Sequence, residues 1–151
     1  MAGLIWEVKT NDSSIYDIND RYTWQKAQDV FVAQLNSNNF GGHSDWRLPS
    51  IKELSTIADK AVANPAINTA YFPNIMLSPE GYSQGHFGSS TPYVNDITYA
   101  WYVNFLNGDI GCRDGVSNLK HVRAARGGQK NGQLLDNGDG PVTDTRCSSF
   151  F

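Results

Sequence analysis

The sequence predicts an α+β domain, with two helices around short antiparallel sheets and long loops between them. Three observations point there. Aromatic residues are plentiful (4 Trp, 7 Tyr, 7 Phe), with 40% hydrophobic and only 18% charged residues. The chain carries 14 Gly along with abundant Asn, Ser and Asp, so much of it must be turn and loop. Apolar residues recur at a period of two in one stretch and at helical spacing in two others. A length of 151 residues suits one domain of ordinary size.

In chain order, residues 4–8 (LIWEV) read as a short strand, Asn11 to Ser14 as a turn, and residues 16–22 as polar and irregular. Thr23 fits a helix N-cap. Trp24, Ala27, Phe31 and Leu35 then recur at helical spacing, giving a helix over 24–36 with a narrow apolar stripe. Asn38 to Gly42 ends it. Ser50 and Glu53 fit a capping box, and Ile51, Leu54, Ile57 and Ala58 form the buried face of a second helix. That helix is expected to fade by Ala63, because Pro65 disfavours helix at Asn64. Residues 64–87 form a long loop broken by Pro65, Pro73 and Pro79, with Tyr71, Phe72, Ile75, Met76 and Leu77 as anchors. A short strand is expected over 87–91.

The clearest strand is 99–105. Tyr99, Trp101, Val103 and Phe105 share one face, and Ala100, Tyr102 and Asn104 the other. Asn107-Gly108 is a tight-turn signal. Residues 108–120 follow with almost no core-forming side chains, and a second apolar segment runs over 121–125. Gly127-Gly128 leads into a polar tail. The expected organisation is therefore a domain over 1–128 and a tail over 129–151, with an added strand at 142–144.

Several function classes are disfavoured. Net charge is −3 and the basic residues are scattered, whereas a nucleic-acid groove needs clustered Lys and Arg. No apolar run approaches membrane-spanning length. Residues 1–3 lead directly into the first strand without a signal peptide, which reads as a cut domain boundary or a cytoplasmic start. Cys112 and Cys147 leave one disulfide or two free thiols open. His43, His86 and His121 form no metal spacing. The run Asp136-Asn137-Gly138-Asp139-Gly140 alternates oxygen ligands as calcium loops do, but lacks the downstream Glu and reads as a turn. Residues 85–89 (GHFGS) are not a nucleophile elbow, and no phosphate loop exists. No cofactor is expected.

Four segments in order carry a family resemblance: GLIWEVKT (3–10), NFGGHSDWRLPSIKEL (39–54), the AINTAYFPN and SSTPY pieces (66–74 and 89–93), and YAWYVNFLNGDI…HVRAARGG (99–128). Together they resemble the Lcl C-terminal domain family, a domain-of-unknown-function (DUF) family, over nearly the whole chain. The resemblance implies a C-type-lectin-like fold, related to that of the formylglycine-generating enzyme, with a loop-rich ligand face. Two departures stand out. His86-Phe87-Gly88 replaces a Tyr-Trp pair common before Ser-Ser-Thr, and Ala124-Ala125 stands where a Cys is frequent. NGDG-x-VTDT pieces usually precede the first strand in tandem arrays of this family. Here NGDGPVTDT closes the chain, so residues 142–144 are expected to pair with 4–8, within one molecule or by strand exchange in a homodimer.

Some C-type-lectin-like proteins are variable proteins of diversity-generating retroelements, in which adenines of Asn-type codons are randomised. Gly111, Cys112, Arg113, Asp114, Gly115, Val116, Ser117, Asn118, Leu119 and His121 all fall in the accessible set, and Lys120 does not. An ordinary divergent loop stands equally open. Either way the run is rich in hydrogen-bonding groups, as an adaptable binding face needs. The candidate ligand residues are Asn95, Asp96, Tyr99, Tyr102, Asn104, Asp109, Gly111, Cys112, Arg113, Asp114, Ser117, Asn118 and His121. Segments 99–105 and 122–126 form the constant frame. Trp24 and Trp46 read as core, and Arg47 as a loop anchor through carboxylate or carbonyl hydrogen bonds.

The expected function is non-enzymatic recognition of a protein or glycan on a cell surface, diversified over about residues 87–126. A carbohydrate-binding adhesin domain is the alternative. An oxidase like the formylglycine-generating enzyme is a second, although Cys112 and Cys147 do not match that enzyme's copper-binding cysteine pair. A cell-surface, secreted or phage/virus-particle location is expected rather than a cytoplasmic one.

Overall fold

The computed structural model describes residues 3–75 and 85–128. The expected tail domain, its strand at 142–144, the calcium-like run at 136–140, Met76 and Leu77 lie outside the described residues.

The architecture is mixed α+β. Strand β1 (Leu4–Trp6) is followed by α1, a continuous helical stretch built from an α-helical turn Trp24–Lys26, a π-helical segment Ala27–Val32 and an α-helical end Ala33–Ser37. Then come α2 (Ile51–Ser55), β2 (His86–Pro92), β3 (Tyr99–Asn104), β4 (Asp109–Gly115) and β5 (Ala125–Gly127). Both sheets are antiparallel: β1 pairs with β5, and β2, β3 and β4 lie in that order.

Thr23 caps α1 as the sequence suggests, its hydroxyl accepting from the Lys26 amide. The π segment answers a mismatch in the sequence. Ala27, Phe31 and Leu35 are spaced by four, which outruns the 3.6-residue turn of an α-helix. A wider turn brings all three back to the core, and all three are buried.

Ser50 and Glu53 form the full capping box at α2. The helix is much shorter than the apolar pattern predicts. Ser55 Oγ donates to the Lys52 carbonyl and Thr56 Oγ1 to the Glu53 carbonyl, and such local bonds compete with helix propagation. Of the expected loop anchors, Phe72 and Ile75 pack against the core, whereas Tyr71 is 73% exposed. Ala66 and Ile67 are the sealed residues instead.

The largest correction concerns residues 108–120. They are not a loop between two strands, because most of the run is β4, hairpinned to β3 through the Asn107-Gly108 turn. Conversely, 121–124 is not a strand. His121 makes an isolated bridge to Phe87, and the regular strand β5 begins at Ala125.

The core has two parts. Ile51 and Leu54 of α2 pack with Phe87, Trp101 and Val103 of the three-stranded sheet and with Phe105 just past β3. Ala27, Phe31 and Leu35 of α1 pack with Trp46, Leu48, Val122 and Ala124. Arg47 ties the parts together as expected. Its guanidinium makes two 2.8 Å bonds to the Glu53 carboxylate and a third, also 2.8 Å, to the Gly127 carbonyl. Trp46 is buried, and Trp24 is half-buried with its Nε1 donating to the Ser89 carbonyl. No helix among the described residues is long and apolar enough to cross a membrane.

Candidate functional site

Strand β3 turns Trp101 and Val103 into the core and Tyr102 and Asn104 to the opposite face. A register shift between Ala100 and Tyr102 breaks strict alternation, so Ala100 and Trp101 are both buried. On that opposite face, at the β3–β4 turn end, lies an open cleft of about 490 Å³ lined by Lys60, Tyr102, Asn104, Asp109, Ile110 and Gly111.

The cleft is shaped by backbone and side-chain constraints together. Gly111 pairs with Tyr102 across the strands, and a Cβ on Gly111 would overlap the Tyr102 ring. The glycine therefore lets the tyrosine lean across β4. Asn104 uses its Oδ1 to accept from the Leu106 amide. Asp109 Oδ2 accepts from Asn107 Nδ2 at 2.7 Å, which tightens the turn.

A buried polar cluster lies beside the cleft. Tyr102 stacks on His86 of β2, centroids 4.0 Å apart. His86 Nδ1 lies 3.0 Å from Asp114 Oδ2, while Asp114 Oδ1 accepts from Asn118 Nδ2 at 2.8 Å and sits 3.5 Å from Lys120 Nζ. Burial opposes ionisation of Asp114, but the bonds from His86 and Asn118 and the Lys120 charge outweigh it and hold its pKa below the ordinary carboxylate value. Burial lowers the Lys120 pKa against the pull of Asp114. Its ammonium also donates to the Gly115 carbonyl at 2.6 Å.

The thirteen sequence-predicted residues do not form one patch. Tyr102, Asn104, Asp109 and Gly111 converge on the cleft. Tyr99 pairs with Gly115 at the other end of the sheet, roughly 17 Å along the strand from Asn104. Arg113, Ser117 and Asn118 are exposed on or just beyond β4. Asn95 and Asp96 are exposed in the β2–β3 loop, where Asp96 accepts from Thr98 and Asn95 donates to the Tyr93 hydroxyl. Cys112, Asp114 and His121 are interior residues, 8%, 2% and 4% exposed. Cys112 packs in the core, and no cysteine among the described residues is free. The period-two pattern carries on into β4, so alternate members of the polar run face inward.

Lys60, Ile110 and His86 were not among the candidates. Lys60 reaches the cleft only through the fold of the 56–66 turn, which places its side chain against Gly108. His86 carried a signal, as part of the His86-Phe87-Gly88 departure from the pattern that the family resemblance leads one to expect.

A second buried charged group joins β1 to the segment before β5. Glu7, Lys9 and Arg123 are each at most 2% exposed. Lys9 Nζ forms an ion pair with Glu7 Oε1 at 3.0 Å. Arg123 donates to the Glu7 carbonyl and lies against Phe72 with its guanidinium carbon 4.7 Å from the ring centroid. Burial lowers the pKa of Lys9, takes that of Arg123 down to about 10, and takes that of His121 to about 4. No group of three or more metal-ligating side chains occurs among the described residues.

No curated protein matches the chain closely enough to be counted a relative. The sequence model of the Lcl C-terminal domain covers residues 1–126, spanning the described framework from β1 to the Arg126 position of β5. The chain belongs to the Lcl C-terminal domain family.

Proposed function

We propose that this domain is a non-enzymatic recognition module with a C-type-lectin-like fold, binding a protein or glycan on a cell surface through the open face of β3 and β4. The observation that carries this reading is the 490 Å³ cleft, where four of the residues singled out from sequence meet Lys60 and Ile110. The cleft offers a cation, a carboxylate, a carboxamide and an aromatic edge, which is the mixed polar and apolar chemistry of a ligand site. Nothing in it pairs a nucleophile with a base.

Diversification by a retroelement fits the division within β4 and the turn after it. Asp109, Arg113, Ser117 and Leu119 are exposed and can change without touching the core. Genomic sequence provides the check. A downstream near-copy of the segment encoding residues 87–126, with adenines at the divergent codons and a reverse transcriptase gene beside it, is the expected finding.

A dedicated carbohydrate-binding adhesin domain, rather than a reader of protein surfaces, is the second reading, favoured by Tyr102, Asn104 and Asp109 lining one cleft. Screening the full chain against a glycan array and a library of displayed ectodomains separates the two. A folded Lys60→Ala/Asp109→Ala variant run alongside should lose the hits. Hits retained by that variant would place recognition elsewhere.

A further inference from the structure

Two opposite charges line one cleft without meeting. Lys60 and Asp109 are both part of its lining, yet no ion pair joins them, and neither forms one with any other described residue. Gly108 sets the path of the Lys60 stem. Its φ is +80°, and a Cβ there would lie 2.9 Å from Lys60 Cγ. Beyond the turn, Asn107 fixes Asp109 from both directions. Its Nδ2 donates to Asp109 Oδ2 at 2.7 Å, and its Oδ1 accepts from the Asp109 amide at 3.0 Å. Asn104, a third lining residue, spends its Oδ1 on the Leu106 amide. The donors of its Nδ2 are what it has left to give, and that nitrogen has no partner among the described residues. The cleft therefore carries donors without acceptors, on Lys60 and Asn104, and a carboxylate without a counter-charge, on Asp109.

We propose that the cleft reads a pair of opposite charges on a protein surface: a carboxylate set against Lys60 and the Asn104 carboxamide, and an ammonium or guanidinium set against Asp109. The inference rests on the reading of the cleft as the ligand face. A neutral sugar leaves both formal charges without a counter-charge. An acidic polysaccharide satisfies Lys60 but brings like charge to Asp109, which disfavours it. A folded protein carries both signs interspersed on its surface, so it supplies the whole complement in one patch. The cleft is open to solvent, which screens its charges. Each arm is then a specificity contact more than a source of affinity.

The test titrates small probes into the full chain labelled with 15N and follows the amides of Ile110 and Gly111. The probes are a capped lysyl-glutamate dipeptide, the same dipeptide with either its acid or its amine neutralised as an amide, and a hyaluronan tetrasaccharide, which carries carboxylates and no amine. The dipeptide should move both amides, and neutralising either of its charges should weaken it about threefold, the worth of one solvent-screened charge contact. Lys60→Ala should remove the gain from the glutamate and keep that from the lysine, and Asp109→Asn should do the reverse. A general loss of structure does not produce that crossed pattern. Dipeptide binding no tighter than its neutralised forms, hyaluronan binding as tight as the dipeptide, or unmoved Ile110 and Gly111 amides overturns the proposal. If that happens while folded Lys60→Ala/Asp109→Ala still releases a ligand that wild type retains, the charge-pair reading fails and the cleft stands. If the double variant keeps that ligand, the cleft reading itself fails.

Discussion

Gly111 occupies the space beneath the Tyr102 ring, and a larger residue fits there only if the ring moves. A Cβ there would overlap the ring, so the cross-strand pair depends on a bare backbone at one position and an aromatic at the other. Gly111→Ala should push Tyr102 off its stack with His86 and deform the cleft. The expected stability loss is small, about 1 kcal/mol, because the overlapped atoms are the movable end of a side chain. Ring-current shifts of His86 report the displacement, and urea midpoints report the stability.

Acid should weaken the fold through His121. Burial lowers its pKa from 6.5 to about 4, so the unfolded chain binds the proton more readily than the native one. The stabilisation is complete above pH 6.5 and is lost as pH falls toward 4. The full effect is about 3 kcal/mol. Urea unfolding at steps between pH 7 and 4 measures it. His121→Gln should be less stable at pH 7 and should flatten the slope across this window.

Arg47 should resist replacement by lysine. Its fork makes two bonds to Glu53 and one to the Gly127 carbonyl, joining the start of α2 to the end of β5. Lysine keeps the charge and loses the planar geometry. Arg47→Lys should cost about 1 to 2 kcal/mol, discounted for partial exposure of the pair. Thermal denaturation with and without added salt checks this, and a small salt effect is expected because geometry matters more than charge here.

Core and face should separate cleanly. Val103 is fully buried in the sheet core, and Val103→Ala should cost about 2 kcal/mol or more. Arg113 is exposed on β4, and Arg113→Ala should stay within about 0.5 kcal/mol. Chemical denaturation of the two variants side by side decides whether the β3–β4 hairpin divides into frame and free positions.

The sequence made some of this legible and hid the rest for identifiable reasons. The Thr23 cap, the Ser50–Glu53 box, the Asn107-Gly108 turn and the β3 pattern are local chemistry, and they read through directly. The extent of α2 did not, because Ser55 and Thr56 turn on the carbonyls behind them. Strand β4 was hidden by its inward residues. Cys112 and Asp114 do not look like core, yet Asp114 is buried because His86, Asn118 and Lys120 satisfy it. Among the candidate site residues, Cys112 and Asp114 face inward for the same reason. A polar run looks uniformly exposed until the strand alternation assigns its members to two faces. Lys60 could not be found from sequence, since only the tertiary fold brings it to Gly108.

The most direct test compares wild type with Lys60→Ala/Asp109→Ala, both verified as folded, against every glycan or displayed ectodomain that wild type retains. The account predicts that the double variant loses at least about tenfold in affinity, roughly 1.4 kcal/mol, with an unfolding midpoint close to wild type. Undiminished affinity in the folded variant would contradict it and move the ligand face away from β3 and β4.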